Sequence, residues 1–244
     1  MKVNTDGVLL GASVQLSTCN PSPEGPFEVL DAGTGTGTIA LMVAQRLSDM
    51  GVDFHVTGID IDEASAQEAG ENFGDSPWSP SMTAAHMPLC KSEGLFDLIV
   101  SNPPYYDDSL QNPDGRKNTA RHTVAADEEG LEGAPMSWRT LLEFASTHLK
   151  DHGTIALVLP ADQESSLLRH ARMYGFSPTF LLRIHTTERK PAARIVVQLG
   201  HRTVEPSAFA EGSTTYRINQ LIIQCSGDYT DEYRLLMKEF YLWA

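Results

Sequence analysis

The chain is short of cysteine, of basic residues in its first half, and of long apolar runs, and each shortage removes a class of protein. Cys19, Cys90 and Cys225 are far apart and odd in number. No CxxC pair, HExxH helix or His/Cys cluster accompanies them, so neither a disulfide framework nor a metal site is expected, and a reducing cytoplasm fits. No apolar stretch approaches the roughly 20 residues of a membrane span. The N-terminus mixes Lys2 and Asp6 with only Val8-Leu9-Leu10 as an apolar run, which leaves no core for a signal peptide. Residues 1–110 hold 3 Lys/Arg against 16 Asp/Glu, whereas residues 111–244 hold 15 against 16. A formal net charge of −14 argues against a general nucleic-acid binder. Any polyanion must be held by local basic groups in the second half.

What is present is globular. At 244 residues, 41% hydrophobic and 20% charged, the chain can bury the core of one domain. β-rich runs stand at residues 27–30, 54–59, 82–85, 96–100, 154–159, 179–186, 194–199 and 221–224. Helix-period segments begin near Thr5 or Asp6 and cover 39–47, 63–72, 136–150, 160–174 and 230–242. The short segment 187–191 between two β-rich runs suits a hairpin. Alternating strands and helices followed by such a hairpin predict one doubly wound α/β domain over 1–244. Its sheet is expected to be mostly parallel with a terminal antiparallel hairpin.

Chemistry concentrates where strands end. The run Phe96-Asp97-Leu98-Ile99-Val100 opens into Ser101-Asn102-Pro103-Pro104-Tyr105-Tyr106. Prolines hold φ fixed and lack N–H groups, so their carbonyls are preset acceptors. Asn102 adds a side-chain carbonyl and Tyr105 a stacking ring, a set suited to a planar amine such as the N6 of adenine. Earlier, Asp31-Ala32-Gly33-Thr34-Gly35-Thr36-Gly37 joins a strand to a helix, and its Gly-x-Gly-x-Gly lets a ligand approach the backbone. That turn alone suits dinucleotide binders as well as S-adenosylmethionine (SAM) enzymes. Asp60 ends the second strand, placed to accept from ribose hydroxyls, while Asp62 is free to cap the following helix. Met87 follows the third strand, where core packing competes with contact to an adenine ring. Residues 107–132 form a polar stretch with Arg116-Lys117 and Arg121-His122-Thr123.

These motifs, together with Thr5-Asp6-Gly7-Val8-Leu9-Leu10-Gly11-Ala12, Ser76-Pro77-Trp78 and Phe240-Tyr241-Leu242, resemble the class I SAM-dependent methyltransferases. Within them the chain is similar to the tRNA1(Val) (adenine-N6)-methyltransferase family, almost end to end. The resemblance implies a Rossmann-like methyltransferase fold, SAM as cofactor with S-adenosylhomocysteine as product, and tRNA as substrate for a cytoplasmic monomer without metal or membrane. Cofactor contacts are then expected from Lys2, Thr5, Asp31, Gly33, Thr34, Gly35, Gly37, Asp60, Ile61, Met87 and Asn102. Asn102, Pro103, Pro104 and Tyr105 would form the catalytic loop. Tyr105, Tyr106, Arg121, His122, Arg189 and Lys190 would meet the RNA.

Three departures stand out: Ser13 where the family often has Trp, Asp60 in place of Glu, and the absence of an earlier basic and aromatic segment, which bears on how tRNA is held. Other readings of the same residues are methylation of a protein glutamine or another nucleic-acid base, a non-catalytic SAM-fold module, and a nicotinamide dehydrogenase, the last disfavoured by the missing final glycine of its fingerprint.

Overall fold

Strands β1 (Phe27–Ala32), β2 (Phe54–Asp60), β3 (Met82–His86), β4 (Phe96–Ser101), β5 (Leu149–Pro160), β6 (Phe176–Thr187), β7 (Arg194–His201), β8 (Arg217–Cys225) and β9 (Asp228–Tyr229) make one sheet. Its order is β3-β2-β1-β4-β5-β7-β6-β8-β9 in a computed structural model. The structure describes residues 5–16, 25–105, 136–202 and 217–241, with the backbone alone at 217 and 218. Strands β3, β2, β1, β4 and β5 are mutually parallel; β7 runs against both β5 and β6. The helices are α1 (Thr5–Ser13), α2 (Thr38–Asp49), α3 (Glu63–Gly74), α4 (Trp138–His148), α5 (Glu164–Met173) and α6 (Asp231–Met237).

The central strands are apolar on both faces because helices cover both. Along β5, Ile155, Leu157 and Leu159 turn to one cluster with Trp138, Leu141 and Leu167, while Ala156 and Val158 turn to the other with Leu10, Val43 and Phe73. The period of two thus divides one apolar run between two cores.

The expected hairpin exists, but in a different place from a simple terminal addition. Strand β7 lies inside, between β5 and β6, since Ile195, Val196, Val197 and Leu199 are all buried and it must be covered on both faces and both edges. Strand β8 is longer than residues 221–224 and lies inside β9, which takes the edge. Pro160 closes β5 instead of starting a helix, which begins at Glu164 after a short 3-10 turn. The closing helix stops at Met237, well before residue 242.

One buried polar residue ties the segment that follows α1 to this sheet. Gln198 on β7 accepts from Gln15 N–H at 2.9 Å and donates to Gln15 carbonyl oxygen at 3.1 Å and to Thr154 Oγ1 at 2.8 Å. Gln198→Leu leaves these groups without their partner and should cost about 2 kcal/mol. In a chain of this size that lowers the thermal midpoint by about 4–8 °C. A melting curve unchanged by the substitution would refute this role for Gln198.

Candidate active site

All five parallel strands end at one edge, and the glycine turn lies there between β1 and α2. Gly33 and Gly37 have φ of 72° and 80°, which disfavours side chains. A Cβ at Gly33 would come within 2.4 Å of Met136 Cε, and one at Gly37 within 2.4 Å of the Phe73 ring. Only glycine fits this bend. Asp31, at the end of β1, is wholly buried. Its Oδ2 accepts from Thr34 Oγ1 at 2.8 Å and from Ala40 N–H at 3.1 Å, while Oδ1 has no partner among the described residues. Burial pushes its carboxyl up to about 7, against the hydrogen bonds from Thr34 and Ala40. A buried acceptor without a donor, beside a turn that admits no Cβ, fits the ammonium group of an amino-acid-bearing cofactor such as SAM.

Asp60 ends β2 next to the same turn. Its Oδ2 accepts from Gly35 N–H at 2.9 Å and its Oδ1 from Asp62 N–H at 3.0 Å, so one carboxylate braces both sides of the cleft. Each oxygen keeps a lone pair for a further donor. Capping falls to Asp62, which accepts from Ser65 N–H at 2.9 Å. Ile61 is 52% exposed, an apolar side chain at the rim. Met87 is partly buried against the α4–α5 cluster. Thr34 is buried beneath the turn and Thr5 is exposed at the start of α1.

The Asn-Pro-Pro-Tyr loop, the expected catalytic loop, leaves β4 beside β1. Ser101 is buried and donates to the Ala32 carbonyl oxygen at 2.7 Å, fixing the strand end against the glycine turn. Pro103 is buried, Pro104 and Tyr105 are exposed and Asn102 is intermediate. The Tyr105 hydroxyl lies 2.7 Å from Asn102 Oδ1 and 3.1 Å from Asp6 Oδ2. Arg194 Nε donates to the same Asp6 oxygen at 2.9 Å. Neither Asp6 nor Arg194 stands out in the sequence as part of this loop. Asp6 reads as a helix start, and Arg194 reaches the site because β7 runs backwards, setting it opposite Pro160 at the end of β5.

The residues expected to meet RNA, and the other basic residues near them, divide. Arg189 and Lys190 are exposed in the turn between β6 and β7, at the same edge as the catalytic loop. Arg183 and Arg194, basic residues flanking that hairpin, are instead ion-paired: Arg183 grips Glu164 through two bonds of 2.9 and 2.7 Å, and Arg194 pairs with Asp6. Lys2, Tyr106, Arg116, Lys117, Arg121 and His122 lie outside the described residues. Among the described residues no group of three His, Cys, Asp or Glu is placed to hold a metal, and no helix is long and apolar enough to cross a membrane.

A parallel sheet with a reversed seventh strand, a glycine turn after β1, an acid at the end of β2 and an Asn-Pro-Pro-Tyr loop after β4 define a class I SAM-dependent methyltransferase. Residues 29–121 match the family described as Methyltransferase domain. A predicted O-methyltransferase from Agrobacterium tumefaciens shares the fold with a TM-score of 0.62, at 16% identity over 96% of this chain and 95% of its own. A magnesium protoporphyrin IX methyltransferase from Synechocystis, solved with bound SAM, aligns with a TM-score of 0.52 at 15% identity, covering 83% of this chain and 86% of its own. The tRNA1(Val) (adenine(37)-N6)-methyltransferase of Pedobacter heparinus is 36% identical over 99% of this chain and 92% of its own. That of Photobacterium profundum is 31% identical over 99% and 92%. The chain belongs to the tRNA1(Val) (adenine(37)-N6)-methyltransferase family.

Proposed function

We propose that this protein, acting as a cytoplasmic, single-domain monomer, methylates the exocyclic N6 of an adenine in tRNA, at the anticodon-loop position 37 of its relatives' names. The observation that carries the reading is the Asn102-Pro103-Pro104-Tyr105 loop at the end of β4, tied to the glycine turn by Ser101; Asn102 Oδ1 and the Pro103 carbonyl would be its amine acceptors. Asp31, Gly33, Thr34, Gly35 and Gly37 would hold SAM with Asp60 at its ribose and Ile61 beside its adenine. Bound there, SAM supplies an electrophilic methyl group.

The protein's own work is on the amine. The lone pair of adenine N6 is delocalised into the ring. Accepting its two hydrogens on Asn102 Oδ1 and the Pro103 carbonyl turns the amine out of the ring plane and localises that pair. Tyr105 stacks the base and fixes the approach, so positioning supplies most of the rate. No strong base is needed before transfer. The target must leave its stack, at a cost of a few kcal/mol that is least in a single-stranded loop. Mass spectrometry of tRNA nucleosides from cells with and without the gene tests the reading: N6-methyladenosine should disappear with the gene, and its persistence would refute it.

RNA binding should be modest and salt-sensitive, since few phosphates are neutralised. Replacing Arg189 and Lys190 together by Ala should flatten the log–log salt dependence by about one to two units, on the basis of about one per phosphate contact. SAM affinity should not change. An unchanged slope would move RNA binding away from this hairpin.

A further inference from the structure

One hydroxyl hydrogen in the site faces two acceptors. Tyr105 can donate to Asn102 Oδ1 or to Asp6 Oδ2, at 2.7 and 3.1 Å, but not to both at once. Burial first, and the charge of Asp6 second, hold the phenol well above its ordinary range, so it remains a donor at neutral pH. Arg194 steadies the arrangement from the other side. Its Nε donates to the Asp6 oxygen at 2.9 Å, and its Cζ stands 5.4 Å from the centre of the Tyr105 ring. A cation over one face of that ring leaves the opposite face for a base.

The consequence for Asn102 follows from acceptor strength. A carbonyl oxygen that already accepts a hydroxyl hydrogen has electron density drawn toward it, and is a poorer acceptor for an amine. A bond to a carboxylate is roughly twice as strong as one to a neutral amide, so Asp6 competes well for the hydrogen. We propose that Asp6 is a positioning residue for methyl transfer: it takes the Tyr105 hydroxyl hydrogen as the target amine arrives, and so leaves Asn102 Oδ1 to that amine. This rests on the reading of Asn102 as the acceptor of the adenine amine. It gives the acidic residue of α1 a task in the reaction without contact to the base.

The test is a cycle of substitutions read by single-turnover transfer to saturating tRNA, with SAM affinity measured by calorimetry for every variant. Asp6→Asn should slow transfer about tenfold, the worth of one charge-assisted bond against a neutral one. Combined with Tyr105→Phe, the same substitution should change the rate by less than about twofold, because the hydroxyl that Asp6 draws away is gone. SAM affinity should be the same throughout. Asp6→Glu, which keeps the carboxylate, should recover most of the rate, and it carries the test if Asp6→Asn melts below the assay temperature. Equal losses with and without the Tyr105 hydroxyl, for either Asp6 variant, would overturn the proposal, as would a SAM affinity that falls with the rate. Failure of the unsubstituted protein to form N6-methyladenine would instead bring down the tRNA reading, and this inference with it.

Discussion

Asn102→Ala should abolish nearly all methyl transfer while leaving the fold and SAM binding intact. On the proposed reading the side chain acts on the amine and any contact it makes with the cofactor is minor, so its loss raises the barrier with little change in the ground state of the SAM complex. Removing one preorganised polar partner of a reacting group typically costs about 10²–10³ in rate. The loop itself should survive. Pro103 and Pro104 restrict its backbone, and Ser101 still ties β4 to Ala32. Single-turnover transfer at near-normal rate with saturating RNA would refute the role. Equal SAM titrations for the two proteins would show that the loss lies in chemistry.

Asp31→Asn should have the largest effect on the cofactor. In the ligand-free protein burial raises the carboxyl from 3.8 to about 7, so the folded state binds a proton that the unfolded state has already lost. The ligand-free protein therefore loses stability as pH rises from about 4 to about 7, and no further loss comes from this group above that. An ammonium donor at Oδ1 needs the carboxylate. Binding below pH 7 then releases a proton, and SAM affinity should climb by up to about tenfold per pH unit between 5.5 and 7 before levelling. Asparagine can keep its carbonyl toward Thr34 and Ala40, but it then turns an amide donor toward the ligand's own donor. Affinity should fall by about 2–3 kcal/mol, the pH dependence should flatten, and the ligand-free variant should be the more stable protein at pH 8. Calorimetry across this pH range checks all three. A sloping affinity in Asp31→Asn equal to that of the unsubstituted protein would assign the titration elsewhere.

Much of the fold was legible because it depends on local pattern. The strand–turn–helix at Asp31, the capping role of Asp62 and the loop after Val100 each follow from residue type and spacing over a few positions. The strand ends were less legible. Leu149 joins β5 because it pairs with Phe96, and β8 begins before residue 221 because β6 offers a partner from Phe180 onward. Periodicity within a segment carries no information about what lies beside it. The same limit hid part of the site. Arg183 and Arg194 read alike as basic residues near a hairpin, yet one is spent on Glu164 at the start of α5 and the other on Asp6 at the start of α1. Gln198 lies within the β-rich run 194–199, and its amide becomes intelligible only once Gln15 stands opposite it.

The link from Asp6 to Arg194 spans 188 residues, and that from Gln15 to Gln198 spans 183. On a ribosome adding about 5–20 residues per second, the first helix emerges roughly 10–40 s before the strand that anchors it. Glycine turn, acidic strand end and Asn-Pro-Pro-Tyr loop are all synthesised in that interval, whereas Tyr105 and Asp6 acquire their third partner only when β7 follows. Contacts of such long sequence separation form late, because the closure entropy of the intervening chain has to be overcome first. A chain ending before residue 194 would contain every residue proposed here for SAM but would lack β7 and, with it, Arg194, the partner shared by Asp6 and Tyr105. Completion of the substrate side is thereby timed to the last quarter of synthesis.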